Sequence, residues 1–210
     1  MSTALPIRGM KPSVSALLIA LALVALICSI VAQSAPVAPP KKQKRAGELI
    51  KKQDPPKVIP RVLEKATSDN ISIYISLSKQ RAYLRVGDEI AVDSPISSGK
   101  RAGMTPAGTY TILEKDADHR SSVYGDFVSS RTGRVVRAGV STKIDSAPSG
   151  TVYRGAPMRW FMRLTNDGVG MHTGILPGYP ASHGCVRLPD EIAKLFYSKV
   201  KIGTPARVGD

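Results

Sequence analysis

Cysteine is nearly absent from this 210-residue chain, which holds two, Cys28 and Cys185. Two thiols cannot build a disulfide scaffold or supply the several thiolates of a typical structural zinc site. Aromatic residues are scarce at 5%, with one tryptophan, and there are three histidines. Acid is also in short supply: 16 Asp and Glu stand against 30 Lys and Arg, a formal charge of +14. That deficit invites a nucleic-acid partner, a question decided by where the charge lies. Hydrophobic (42%) and charged (22%) residues are at ordinary levels, which excludes a wholly disordered chain. The length suits one domain with about 60 residues to spare.

Those spare residues lie at the front. Val14 to Ala32 carry no charge, Arg8 and Lys11 precede them, and Ala32-Gln33-Ser34-Ala35 follows. Residues 1–34 therefore read as a signal peptide or a membrane anchor, with the choice between them open. Cys28 follows bulky Ile27 where a lipoprotein signal requires a small residue. Residues 35–68 are rich in proline and lysine and poor in large apolar residues, the composition of an extended, disordered spacer. An anionic polymer or a membrane surface is the partner its charge suits. Residues 1–68 hold 11 basic and 3 acidic groups, a net +8, whereas residues 69–210 hold 19 and 13, a net +6. More than half the excess thus falls outside the expected domain, in an exported chain, and nucleic acid is not the partner this distribution implies.

From residue 69 the pattern is that of strands. Ile71, Ile73, Ile75 and Leu77 alternate with polar residues, Gln80–Val86 reads as the return strand, and Gly87-Asp88 turns into Glu89–Ile96. Tyr110–Leu113, Trp160–Thr165 and Pro205–Val208 are shorter candidates. One helix is predicted, from Pro189 to about Lys199, with acid at its start, lysine at its end, and Ile192, Leu195 and Phe196 on one face. The expectation is a mainly β domain over residues 69–210 with a short C-terminal helix.

Two motif matches are incomplete. Gly99-Lys100 lacks the upstream glycine of a phosphate loop, and Arg101 stands where a magnesium-binding hydroxyl belongs. Ser76-Leu77-Ser78-Lys79 and Ser97-Ser98-Gly99-Lys100 fit the Ser-x-x-Lys pattern of penicillin-recognising enzymes. Ser68-Asp69-Asn70 precedes both rather than following, and no Lys-Thr-Gly is present.

Cys185 stands in a different setting. Ser182-His183-Gly184-Cys185-Val186-Arg187 is polar and basic, and His172 lies a short way upstream. A cysteine nucleophile needs a base, and the base needs an orienting acceptor. His183 and Arg187 are both placed to favour thiolate over thiol. A metal held by His172, His183 and Cys185 is the competing reading, weakened because alternate strand residues point to opposite faces. His119 has no such context and reads as a surface residue.

Met171-His172-Thr173-Gly174, then Ala181-Ser182-His183-Gly184-Cys185-Val186-Arg187-Leu188-Pro189, resembles the signature of the L,D-transpeptidase catalytic domain. Ser98-Gly99 with Thr105-Pro106-Ala107-Gly108-Thr109-Tyr110, Pro157-Met158 through Arg163-Leu164, and the closing Gly203–Val208 fit the same family. The resemblance spans about Asn70–Val208. It implies a β-sandwich-like catalytic domain working on peptidoglycan stem peptides outside the bacterial cytoplasmic membrane, without a cofactor or a metal. It further implies that Cys185 attacks a tetrapeptide stem, releases D-alanine and forms a thioester. An amine, giving a 3→3 cross-link or another attachment, or water would then resolve it. Within that resemblance His172 is the base and the Thr173 carbonyl its orienter. The N–H groups around His183, Gly184 and Cys185 form the oxyanion hole, His183 and Ser182 support the loop, and Arg187 binds a stem carboxylate or braces the loop. The loop between His172 and Ser182 is short, which leaves amine and water open as acceptors. A catalytically silent wall-binding module is the alternative of another class.

Overall fold

The computed structural model describes residues 52–210. The apolar run Val14–Ala32 and residues 35–51 of the expected spacer lie outside the described residues. No helix among the described residues is long and apolar enough to cross a membrane.

The alternation at Ile71–Leu77 becomes strand β2 (Ile71–Ser76), with β1 the two-residue strand Lys57–Val58 before it. Ile71, Ile73 and Ile75 are buried while Ser72 and Tyr74 face outward. Strand β3 (Arg81–Val86) repeats this with Ala82, Leu84 and Val86 inward, and β4 (Glu89–Pro95) follows across the Gly87-Asp88 turn. The expected strand start at Gln80 moves to Arg81, because Gln80 adopts φ +51° to make the hairpin turn. With β5 (Gly108–Thr111) and β13 (Pro205–Gly209), these form a six-stranded sheet in the order β1-β4-β3-β2-β13-β5. β13 enters between β2 and β5, parallel to β2 and antiparallel to β5, so the C-terminal strand closes the sheet.

A second sheet holds β6 (Glu114–Asp116), β10 (Phe161–Arg163), β11 (Gly170–Thr173) and β12 (Val186–Leu188) in the order β12-β11-β10-β6. One hydrophobic cluster takes Ile73, Ile75 and Leu84 from the first sheet and Met162, Met171, Val186 and Leu188 from the second. The helix α2 (Asp190–Lys199) adds Ile192, Ala193 and Phe196 to that cluster. It starts after Pro189, has Asp190 and Glu191 in its first turn and Lys199 in its last, as its dipole favours.

A third sheet, β8-β7-β9, is made of β7 (Arg120–Ser129), β8 (Val135–Ser141) and β9 (Thr151–Pro157). None of its residues belongs to the main cluster; Phe127, Val128 and Val140 are buried within it, and Phe127 meets Tyr153 edge-on at 6.2 Å. Their apolar residues come in adjacent pairs (Val123-Tyr124, Phe127-Val128, Val135-Val136, Val152-Tyr153), so no period-2 pattern in the sequence announces them.

The folded part also begins earlier than composition suggests. Lys57–Val58 pair with β4, and the short helix α1 (Pro60–Leu63) buries Val62 at 2% exposure, with Ile59, Leu63 and Ala66 packed on the core. Residues 57–66 therefore act as part of the domain, not as spacer. Their proline content conceals this, since Pro60 is accommodated at a helix start where its missing N–H costs nothing.

Candidate active site

The parallel pairing of β11 with β12 fixes the site. Its register sets Met171 beside Val186, His172 beside Arg187 and Thr173 beside Leu188. Met171, Val186 and Leu188 go to the core, so His172 and Arg187 share the opposite face. Cys185, just before β12, falls on that same face by alternation, next to Gly170. The Gly170 backbone N–H lies on the side that favours a charged sulfur, and Cys185 Sγ donates to the Gly168 carbonyl at 3.6 Å. The pairing thus brings His172 and Cys185, 13 residues apart in sequence, onto adjacent strands, offset by two residues along them. Gly170 has to be glycine: a Cβ there would lie 2.5 Å from the Met162 carbonyl and from the Phe161 ring.

His172 is buried, and its Nδ1 lies 2.6 Å from the Thr173 carbonyl. That contact assigns the proton to Nδ1 and leaves the Nε2 lone pair as the acceptor. Burial pushes its pKa down to about 4, against the pull of the Thr173 hydrogen bond; Arg187 and His119 depress it further. The ring is therefore a neutral base at neutral pH. Thr173 is itself held on both sides, by N–H donation to Arg159 O (3.0 Å) and by its hydroxyl on Asp190 of α2 (3.0 Å).

Burial raises the Cys185 thiol above its ordinary pKa, with the Gly170 N–H, Arg163 and Arg187 pulling the other way. The resting sulfur is a thiol. Of the two cationic helpers expected from sequence, Arg187 acts in that direction and His183 does not. The His183 ring stacks on Tyr124 of β7 (centroids 4.3 Å apart), and its Nε2 is 3.1 Å from Lys100 Nζ. Its pKa is lowered by burial, then by Lys100 and Arg187. A lone pair facing an ammonium is unavailable to a thiol.

The loop carrying Cys185 is braced from within and from one side. Ser182 Oγ donates to the Cys185 carbonyl (2.5 Å) and accepts the Gly184 N–H (3.0 Å). This engages one of the three N–H groups expected to bind an oxyanion; those of His183 and Cys185 make no hydrogen bond among the described residues. Gly184 adopts φ +144°, and a Cβ there would sit 2.9 Å from the Met104 carbonyl. Its requirement comes from the backbone bend and from Met104.

From the side, Ser97–Lys100 runs along the loop. Ser97 exchanges backbone hydrogen bonds with Arg187, Ser98 O accepts the N–H groups of Ala181 and Ser182, and Lys100 N donates to Ser182 O. The Thr105 hydroxyl bridges the two segments, accepting from Gly99 N–H (2.8 Å) and donating to the Gly184 carbonyl (2.5 Å). Gln80, absent from the sequence-based site, reaches in from the β2–β3 turn. Its amide accepts from Ser98 N–H (3.0 Å) and donates to Ser98 Oγ (2.8 Å). Its only sequence signal is a buried-strand neighbour at a turn, which names no function.

Arg187 lies with its guanidinium half-buried, and among the described residues its one hydrogen bond is a long contact to Ile175 O, 3.5 Å. Burial lowers its pKa, and no carboxylate offsets this. It is a desolvated cation facing the cysteine's side of the sheet.

His119 corrects the sequence reading. Its side chain is 21% exposed, not that of a surface residue: the ring stacks on Phe161 (4.2 Å, 13°) and its Nδ1 meets Asp116 at 3.1 Å. Phe161 is the ring that abuts Gly170, so His119 backs the strand segment that faces the sulfur. Glu114, Asp116 and His119 are also the three-residue set, among the described residues, with ligand atoms within 4.8 Å of one another. Arg163 already pairs with Glu114 at 2.5 Å and Asp116 contacts His119, so these side chains are engaged with protein partners. His172 and His183 do not converge on Cys185 as metal ligands: one ring is tied to Thr173 and the other faces Lys100.

The comparisons agree with this architecture. No curated protein sequence matches the chain. The L,D-transpeptidase from Mycobacterium smegmatis superposes with a TM-score of 0.50 at 23% identity, covering 66% of this chain and 58% of that one. L,D-transpeptidase 1 from Mycobacterium tuberculosis gives 0.47 at 22%, covering 67% and 62%. L,D-transpeptidase 3 of the same organism, in complex with a faropenem-derived adduct, gives 0.46 at 27%, covering 67% and 60%. The chain thus spans under two thirds of the length of these structures. The L,D-transpeptidase catalytic domain model matches residues 70–208, and the chain belongs to that family.

Proposed function

We propose that this protein is a cell-envelope L,D-transpeptidase that acts on peptidoglycan stem peptides through a Cys185 thioester. The observation that carries the reading is the β11–β12 register, which sets a neutral, Nδ1-anchored His172 and Cys185 on one face of a sheet. His172 Nε2 takes the thiol proton as sulfur attacks the carbonyl of the third stem residue. Moving that proton within the site yields thiolate and imidazolium only as the bond forms, which suits a thiol raised by burial. The unengaged N–H groups of His183 and Cys185 receive the developing oxyanion, where one donor is typically worth about 3 kcal/mol. His172 returns the proton to the departing D-alanine amine, and the C–N bond breaks to leave the thioester. An incoming amine then gives up its proton to His172 and takes the acyl group. Arg187 binds a stem carboxylate, the ion its half-buried guanidinium lacks.

The second reading is hydrolysis of the same thioester, favoured by the short loop Thr173–Ala181, which leaves Ile175 exposed at 78% beside Arg187. Product analysis on purified disaccharide-tetrapeptide separates the two. Transfer yields dimers or exchanged amines; hydrolysis yields tripeptides alone. Turnover surviving in a folded Cys185→Ala variant would remove both.

A further inference from the structure

The outward face of the six-stranded sheet carries a row of side chains that the catalytic site does not use. Strand registers set Asp93, Tyr83, Tyr74, Arg207 and Thr109 side by side across β4, β3, β2, β13 and β5. The Tyr74 and Tyr83 rings stack nearly parallel, centroids 5.9 Å apart and 14° between planes. Beside them lies a groove of about 320 Å³ whose lining includes Tyr74, Arg85, Thr109, Arg207 and Asp210. It shares no residue with the Cys185 site.

The positive charge in this groove is only partly compensated, by Asp88 beside Arg85 and by Asp210. Arg207 is exposed, and its guanidinium makes no hydrogen bond or ion pair among the described residues. Arg85 gives one end to the Asp88 carbonyl (3.1 Å) and lies 3.6 Å from the Asp88 carboxylate, while its Nε is buried with no partner. Asp210, the acid at the groove's end, already accepts the Ser78 N–H at 2.6 Å. A buried donor without an acceptor is costly, and guanidinium groups pair best with carboxylates. A flat tyrosine platform adds an apolar surface that suits a ring face, with phenol groups for hydrogen bonding. Together these call for a polymer that carries both carboxylates and rings.

We propose that this sheet face is a second, non-catalytic binding surface for peptidoglycan, with Arg85 and Arg207 on stem carboxylates and the tyrosine pair against the glycan. The choice of polymer rests on the envelope-enzyme reading above. A second contact on the substrate polymer raises the local concentration of stems at Cys185 without entering the chemistry.

The test uses the full chain. Co-sedimentation with purified sacculi is measured in a Cys185→Ala background, and turnover of soluble disaccharide-tetrapeptide is measured with Cys185 intact. Arg207→Ala, at an exposed position that cannot unfold the domain, weakens sacculus binding about threefold, and Arg85→Ala/Arg207→Ala about tenfold, as expected for lost charge-assisted contacts. Arg207→Lys retains part of the binding, and soluble turnover stays within about twofold throughout. Unchanged sacculus binding in both alanine variants overturns the proposal. So does a loss confined to anionic phospholipid vesicles, which would assign the face to lipid. If the parent turns over no muropeptide yet binds sacculi through Arg207, the activity reading fails and the surface stands.

Discussion

At the scale of single residues, the environment of His172 makes a prediction about pH. Its pKa in the folded chain is about 4, against an ordinary 6.5 in an unfolded one. As pH falls through 6.5 the unfolded chain takes up a proton that the folded chain refuses, so stability declines between about 6.5 and 4 and levels off below. The full effect is roughly 3 kcal/mol from this group. His172→Gln removes that part of the slope, which chemical denaturation at stepped pH measures directly. In the enzyme, the acid limb of kcat/KM should sit well below 6. A limb near 6.5 would show a different base. His119 gives a second prediction. Losing its ring should lower kcat several-fold with little change in KM, because it backs Phe161 and Gly170 rather than touching substrate. His119→Phe, which keeps the stack, should recover most of the loss. The signature residues are legible in the sequence because Ser182–Arg187 is a local string. The role of His119 is not, since Phe161 and Gly170 are distant in the chain and meet it only through sheet pairing.

At the scale of elements, the support of the Cys185 loop comes from a segment far upstream in the chain. The hydroxyl of Thr105 holds together Gly99 of one segment and Gly184 of the loop. Thr105→Val keeps the shape but leaves both backbone groups unsatisfied in a buried place, a cost of about 1–3 kcal/mol. Thermal unfolding should show the loss, and Thr105→Ser should restore it. The strands at Ile71–Ser76 and Arg81–Val86 are readable from alternation because one face is buried and the other wet. Strands β7 and β8 are not: their apolar residues fall in adjacent pairs such as Phe127-Val128 and Val135-Val136 and pack within their own small sheet, so no clear period marks their sequence. Residues 57–66 escape a sequence reading for a related reason. Val62 alone is fully buried there, and with Ile59, Leu63 and Ala66 it spans too short a run to show a helical period. Val62→Ala should cost about 2 kcal/mol, close to what a true core position loses and far above a spacer's.

At the scale of the whole molecule, charge is divided unevenly. Residues 1–56, ahead of the folded part, hold 8 basic and 2 acidic groups, a net +6, while the much longer stretch 57–210 holds 22 and 14, a net +8. On the envelope reading, this front segment adheres to anionic wall or membrane while the domain does the chemistry. Removing residues 1–51 should leave turnover of soluble stem fragments unchanged. It should also flatten the salt dependence of binding to sacculi, since fewer counterions are displaced.

The proposed function turns on one covalent bond, between Cys185 and the acyl group of a tetrapeptide stem. Intact-mass spectrometry of the protein incubated with a disaccharide-tetrapeptide donor and no amine acceptor tests it most directly. The expected result is an added mass equal to the donor less D-alanine, located on Cys185 by peptide mapping and absent from Cys185→Ala. Turnover with no such adduct in rapidly quenched samples, or an adduct that survives in Cys185→Ala, would contradict it.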